Sequence, residues 1–576
     1  MKKMWIWLLT GLLIITALTG FTSAKDNSKI EKNLKANTVL SDDNIDDLFV
    51  LGKIWGYLKY YHPNVAKGDR NWDDELFLIL PKVLEAKSPK KRDMILSDWI
   101  DSLGAYATDS NKPVEPYEIK VKPDLDWITK LNLEDKLETK LLNLKIAKRT
   151  GENQYISINE GAGNPIFTEE AFSDMNYPGV GYRLLSVYRY WNIIEYYFPH
   201  KNLIEEDWDN VLKEFIPKFV KASNEQEYKL TTLEIIARIH DSHAGLWEKN
   251  PTINRYWGEN YSPLVVSFVE DKLVVTSYYN EVLGKDTGLK IGDVITKINK
   301  KPVSKIVKEK LKYIPASNFS TQLRDISGKL LRTNDSHLTI DFERDGKAKE
   351  SKLKMYSPSQ LDVAAYDPFN PFNKQDYYSQ IDPEISYIYL GNLMNENIPE
   401  ISKKISNSKG LIIDLRCYPK EFTVHSLSAL LLPQSTDFTA ISMANTLEPG
   451  QFLMVTLPTG KSNPEYFKGK VVILVNELTQ SLAEFTTMAL KTAPDATVIG
   501  STTAGADGDM SIIKLPGGLT TAISGTGIYY PDGSETQRIG IIPDITVKPT
   551  IQGIKENRDE VLQKAIDLIH ESSQGK

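Results

Sequence analysis

Between Lys470 and Gly508 the chain reads KVVILVNELTQSLAEFTTMALKTAPDATVIGSTTAGADG, a stretch that few folds accommodate. Val471, Val472, Ile473, Leu474 and Val475 form an unbroken apolar run, too short for a helix and rich in β-branched side chains. That pattern predicts a strand buried on both faces. A polar break follows, then the helical segment SLAEFTTMALKTA, which stops before Pro494. A second buried strand, Thr497–Gly500, enters the glycine-rich turn TTAGADG. The order is that of a strand–helix–strand unit in an α/β layer. Ser481 falls where the first strand gives way to the helix. Free backbone N–H groups and the positive end of the helix dipole gather there, which suits a nucleophile and a developing oxyanion. The same position suits an ordinary helix N-cap.

The 576 residues are enough for about three or four domains at ~100–200 residues each. A net charge of -7 gives no basic footprint for nucleic acid. Lys2 and Lys3 precede the apolar run WIWLLTGLLIITALTG, and Thr22-Ser23-Ala24 follows it. This is the pattern of a signal peptide over residues 1–24, cleaved after Ala24, with an uncleaved membrane segment as the alternative. The mature chain is then expected outside the cytoplasm, periplasmic or secreted, touching a membrane only through an uncleaved leader. Residues 25–40 are polar and read as a flexible lead-in. Cys417 is the only cysteine, so no intramolecular disulfide can form.

Residues 41–255 hold an internal repeat. KIWGYLKYYHPNVAKGDRNWDDELFLILPKV (53–83) aligns without a gap to RYWNIIEYYFPHKNLIEEDWDNVLKEFIPKF (189–219), a constant offset of 136 residues. Trp55 matches Trp191, Tyr60 matches Tyr196, Tyr61 matches Tyr197, Trp72 matches Trp208 and Pro81 matches Pro217. Leu48, Leu51, Trp55 and Leu58 recur as Leu184, Val187, Trp191 and Ile194, a spacing of one buried helix face. A helical domain built by duplication is expected. Its aromatic residues, at helical spacing, read as core more readily than as sugar-stacking platforms. His62 is replaced by Phe198 in the second copy, which marks it as structural.

The segment KLTTLEIIARIHDSHAGLWEK is read as a helix closed by Asp241-Ser242-His243, with His243 at its end. A histidine there has a tunable pKa and can serve as a general base. His240 and His243 also have the i, i+3 spacing of a ligand pair, but no second ligand cluster accompanies them, so no metal is expected. Residues 262–355 carry two alternating strand patterns and the string Gly288-Leu289-Lys290-Ile291-Gly292-Asp293-Val294-Ile295, which resembles a PDZ domain. That resemblance implies peptide binding by strand addition, with Gly288, Leu289, Ile291 and Gly292 as binding residues. A small β-domain without a ligand fits the pattern too.

Four features in order, DSHAG (241–245), the PDZ-like string, GLIIDLR (410–416) and the run from VNELTQSLAE to GIIPDITV, resemble the C-terminal processing (tail-specific) serine peptidase superfamily. The resemblance implies a multidomain α/β chain: a duplicated helical domain, a PDZ-like β domain, a ClpP/crotonase-like α/β catalytic core over 380–550 and a C-terminal helix over 551–576. One branch of that superfamily uses a Ser–Lys dyad, with the lysine in the glycine turn. Ala506 stands at that place here, and Lys491 lies ten residues beyond Ser481, about 15 Å along a helix at ~1.5 Å per residue. The tricorn-like branch uses a serine, a histidine, and a supporting serine and glutamate. The resemblance then implies Ser481 as nucleophile, His243 as base, and Glu535 orienting the imidazole directly or through Ser242. Asp532 and Glu484 are rival carboxylates for that last role. The oxyanion donors would be the backbone N–H groups of Lys420 and Leu482. Lys420 stands where the family has glycine, so an idle peptide-binding relative is the alternative. The expected partner is a peptide or unfolded protein, with no cofactor.

Overall fold

The computed structural model describes residues 41–109, 117–247, 250–366 and 375–574. The expected signal peptide (1–24) and lead-in (25–40) lie outside these residues. No helix among the described residues is long and apolar enough to cross a membrane.

The two halves of the repeat form matching helix pairs: α1 (Asp42–Tyr61) with α2 (Trp72–Leu84), and α3 (Val180–Tyr197) with α4 (Trp208–Lys221). In the first pair the Trp55 indole donates to the Trp72 carbonyl (3.1 Å) and the Trp72 indole donates to the Trp55 carbonyl (3.0 Å). Trp191 and Trp208 make the same exchange at 2.7 and 3.1 Å. A buried indole needs an acceptor, and the reciprocal pair supplies both. Helices α1 and α3 then pack in register, with positions 136 residues apart facing each other. A Cβ on Gly52 would come within 2.5 Å of the Tyr188 ring, and one on Gly56 within 1.8 Å of the Asn192 amide. The rings of Tyr60 and Tyr196 lie 5.7 Å apart. The aromatic residues are core, as their spacing implies, and most are fully buried.

Several buried charges in this region are paired. Glu169 accepts from Lys59 (2.6 Å) and is ion-paired with Arg189 (3.0 Å), and Arg189 also donates to Asp73 (2.7 Å). Arg189 further donates to the Lys514 carbonyl at 2.8 Å, and the Tyr228 hydroxyl donates to the Pro516 carbonyl at 2.6 Å. Those bonds hold the turn between strands β14 (Met510–Leu515) and β15 (Leu519–Ser524) against the helices. The helical region thus fixes the start of β15.

Helix α5 (Glu225–Ala237) ends six residues before His243, not at it. His240 adopts a left-handed conformation (φ 50°), which a helix interior does not tolerate, and residues 241–243 form a turn. The Asp241 carboxylate is drawn to Ser524 on β15, and that tertiary contact ends the helix early.

A second sheet has the order β6-β5-β4-β3-β2, from β2 (Leu264–Val269), β3 (Lys272–Tyr278), β4 (Val294–Ile298), β5 (His337–Arg344) and β6 (Lys347–Lys354). Helices α6 (Val303–Lys310) and α7 (Phe319–Leu330) contribute to its core. Gly288, Leu289, Ile291 and Gly292 do not lie along its outer strand β2. They form the turn into interior strand β4, where Gly288 and Gly292 take φ +75° and +89°. Leu289 is buried and its carbonyl accepts from Tyr278 at 2.9 Å, so these residues shape a turn. A Cβ on Gly292 would sit 2.2 Å from the Lys555 side chain.

The remaining layer is a sheet of order β7-β8-β9-β12-β13-β17, comprising Tyr378–Asp382, Ile385–Tyr389, Gly410–Asp414, Lys470–Val475, Thr497–Gly500 and Ile545–Thr546. All of its pairings are parallel except β7 with β8. Strands β9 and β12 lie at its centre, and residues 410–414 and 471–475 are buried throughout. Helix α8 (Leu482–Lys491) follows β12, and α9 (Glu560–Gln574) covers the sheet through Val561, Ala565 and Ile569. Strands β1 (Glu118–Val121), β11 (Phe452–Thr459), β10 (Thr436–Ala444) and β16 (Gly527–Tyr529) make a separate antiparallel sheet.

Candidate active site

In parallel sheets, ligands meet the carboxyl ends of the strands. The turns after β9 and β12 converge there. After β9, Arg416 clamps Asp414 (2.6 Å) and Asp559 (2.8 Å), which anchors the turn Cys417-Tyr418-Pro419-Lys420. After β12, the Thr479 hydroxyl donates to the Leu415 carbonyl at 2.7 Å and joins the two turns.

Ser481 stands at the N-cap of α8 with φ 57° and ψ -123°. Ordinary caps are extended, so this conformation carries strain for an L-residue. Two bonds from its backbone N–H hold it, to the Ala506 carbonyl (2.9 Å) and to Glu484 Oε2 (3.2 Å). Glu484 is buried beneath the turn. Its oxygens also accept from Gly505 N–H (2.8 Å), Ala506 N–H (3.0 Å) and the Thr503 hydroxyl. Burial pushes its carboxyl up, and the bonds from Thr503, Gly505, Ala506 and Ser481 oppose this. The phenol of Tyr418 faces the Ser481 side chain, whose influence opposes the upward push of burial on the phenol's pKa.

His243 is buried beside Asp241, which is fully enclosed. Its Nδ1 lies 2.9 Å from Ser524 Oγ, and that hydroxyl is 2.9 Å from Asp241 Oδ1. Asp241 also accepts from the backbone N–H of His243 (3.0 Å) and of Ser524 (2.6 Å). Burial pushes the imidazole below its ordinary value, against the opposing charges of Asp241 and Asp509.

The histidine turn and the nucleophile turn are tied to each other and to the second sheet. Gln480 donates to the Ser242 carbonyl at 3.4 Å. Arg324 on α7 donates to the Glu477 carbonyl (2.6 Å) and to Gln480 (3.0 Å). The Ser317 and Asn318 segment bonds Ser242 and the Thr503 carbonyl, both at 2.9 Å.

Three expected roles are not met by these contacts. Glu535 lies 3.4 Å from His200 Nδ1, in the buried neighbourhood of Tyr529, and makes no bond to His243. The Ser242 hydroxyl bonds Ser317 and the Ala504 carbonyl, so it does not link a carboxylate to the imidazole. The backbone N–H of Lys420 donates to the Leu390 carbonyl at 3.0 Å, and is therefore already committed. That of Leu482 has no acceptor among the described residues. Among those residues no three His, Cys, Asp or Glu side chains converge as metal ligands would. Sequence reasoning missed Asp241 and Ser524 as neighbours of the imidazole. The only signal was that Asp241 is a carboxylate two residues from His243.

Residues 384–547 match the family described as peptidase family S41. A probable CtpA-like serine protease of Staphylococcus aureus (strain N315) is 25% identical over 292 residues, 48% of this chain and 50% of that protein. The chain thus spans about half the length of the curated relatives it matches. Mature CPAF complexed with lactacystin shares the fold, with a TM-score of 0.52 at 13% identity over 69% of this chain and 98% of that one. Mature CPAF alone gives 0.51 at 13% identity, over 68% and 96%. Over residues 384–547 the chain is thus similar to peptidase family S41, and its motifs resemble those of the tail-specific peptidases.

Proposed function

We propose that the chain is an exported serine peptidase that cleaves peptide or unfolded-protein segments through an acyl-enzyme. Ser481 Oγ attacks the scissile carbonyl and His243 takes its proton. The imidazolium then protonates the leaving amine, and water hydrolyses the ester by the reverse sequence. The Leu482 N–H and the Tyr418 hydroxyl receive the oxyanion. Tyr418 takes the part expected of Lys420, whose N–H is bonded elsewhere. Neither metal nor cofactor enters this scheme. Residues 1–24 direct export, residues 41–255 arose by duplication, and residues 262–355 are PDZ-like. A peptide would lie along the outer edge of β2.

The observation that carries this reading is the backbone of Ser481. A positive φ at a strand-to-helix turn costs about 1–3 kcal/mol, and Glu484 with Ala506 is built to maintain it. The Glu484 bond is that of a capping box, as in ordinary caps, so the positive φ is what sets Ser481 apart. The test is labelling of the mature protein (from Lys25) with a fluorophosphonate, beside Ser481→Ala and His243→Ala. Labelling lost in both variants supports the reading, and a folded wild type that stays unlabelled defeats it. A second reading, an idle peptide-binding protein of the same fold, is favoured by the committed Lys420 N–H.

A further inference from the structure

We propose that Asp241 and Ser524 together are the positioning relay for His243, in place of the expected Glu535 and Ser242. This inference rests on the reading of His243 as general base and goes beyond it, because it assigns the imidazole's tautomer and names what holds it. A carboxylate only accepts hydrogen bonds, whereas a serine hydroxyl has one proton to give. With Asp241 Oδ1 at 2.9 Å, the Ser524 proton goes to the carboxylate. The Ser524 oxygen can then only accept from the imidazole, so Nδ1 carries the hydrogen across the 2.9 Å contact. The lone pair is left on Nε2, the nitrogen that must take the nucleophile's proton.

The direct distance from Nδ1 to Asp241 Oδ1 is 3.9 Å, too long for a hydrogen bond, so the hydroxyl is an obligatory bridge. The bridge is rigid because its ends are fixed by backbone. Asp241 is held by the N–H groups of His243 and Ser524. Ser524 closes β15, whose partner β14 is held by Arg189. When Nε2 is protonated during turnover, Nδ1–H, Ser524 and Asp241 form a chain of donors ending on a negative charge, which stabilises the imidazolium. The charged groups acting on His243 are Asp241 and Asp509. Asp509 lies at the exposed edge of the site, so it modulates the charge without orienting the ring.

The test measures fluorophosphonate labelling rates against pH for wild type, Ser524→Ala and Asp241→Asn, with thermal unfolding as a check on folding. In Asp241→Asn either amide orientation loses one backbone bond, to His243 or to Ser524; with its NH₂ at the Oδ1 position it donates to Ser524, whose proton then turns toward Nδ1 and traps the wrong tautomer. Wrong-tautomer substitutions in serine proteases cost about 10⁴ in kcat. The expected result is a fall of roughly 10²–10⁴. In Ser524→Ala, which removes a single oxygen, a fall of ~10² or more is expected. Both changes withdraw support from the imidazolium, so the acid limb of the pH profile should move down by about one unit. A purely structural defect would lower the rate at every pH without moving that limb. Rates within threefold of wild type in folded Ser524→Ala, or an unmoved limb, overturn the proposal. So does an equal loss in Glu535→Gln with none in Ser524→Ala. An unlabelled wild type instead overturns the peptidase reading on which the proposal rests.

Discussion

Replacing Glu484 by glutamine tests whether the strained turn at Ser481 is maintained by a buried carboxylate. The two oxygens have separate duties. Oε2 accepts from the N–H groups of Ser481 and Ala506, and Oε1 from Gly505 N–H and the Thr503 hydroxyl. An amide has only one oxygen. With its NH₂ toward Ser481 and Ala506, the Ala506 N–H is orphaned, while the Ser481 N–H keeps its bond to the Ala506 carbonyl. Turned the other way, it orphans Gly505 N–H, because the Thr503 oxygen can accept. Either orientation therefore costs about 1–3 kcal/mol for one buried unsatisfied donor. That equals the ~1–3 kcal/mol of strain that the turn stores, so the nucleophile conformation should lose its advantage over a relaxed one. At ~1.4 kcal/mol per decade, a loss of about 2 kcal/mol reduces the competent population roughly 30-fold. Fluorophosphonate labelling should slow by that factor in Glu484→Gln, with a lowered unfolding midpoint. Labelling within threefold of wild type at an unchanged midpoint would refute the argument, since the carboxylate would then support nothing at Ser481.

Tyr418→Phe should slow labelling by about 10–100-fold while leaving the fold stable, because it removes one oxyanion donor; equal rates would return that role to a backbone N–H. Burial lowers the His62 imidazole to about 4. The unfolded chain therefore takes up this proton first, and the stability tied to neutral His62 is complete above pH ~6.5 and lost as pH falls toward 4. Between pH 6.5 and 5 the loss is about 2 kcal/mol. His62→Phe, which installs the residue found at 198, should flatten that slope in urea melts, and an unchanged slope would exonerate His62. Cys417 is buried and its thiol is pushed up by that burial, so a maleimide should modify it only after denaturation. Modification of the native protein at the rate of a free thiol would contradict its enclosure.

The layers of the fold were legible where apolar patterning is local. The run Val471–Val475 and the segment GLIID specify buried strands by composition alone, and both are central strands of the parallel sheet. The offset of 136 residues placed Trp55 and Trp72 in the same relation as Trp191 and Trp208, and their indoles make the same bonds. The surroundings of the imidazole were not legible. Asp241 and Ser524 are separated by 283 residues, and Ser524 looks like any small residue at the end of the strand LTTAIS. Local propensity carried the helix of α5 through to His243, whereas the pull of Ser524 on Asp241 ends it at Ala237. Glu535 was assigned to the imidazole by resemblance to the tricorn-like branch, but its neighbour is His200, a residue with no motif of its own. The PDZ-like string was assigned to binding by its resemblance alone, and its glycines mark close backbone approach. Here that approach serves the turn around Leu289.

The facing of Gly52 with Tyr188, and of Gly56 with Asn192, makes the seam between two similar helices an asymmetric lock. Two identical copies placed in register would oppose tyrosine with tyrosine, which collides, or glycine with glycine, which leaves a void. Only the unlike halves fill the seam. A seam of two first helices would lack the tyrosine and the asparagine that fill it here, so the first helix is complementary to the second copy and not to itself.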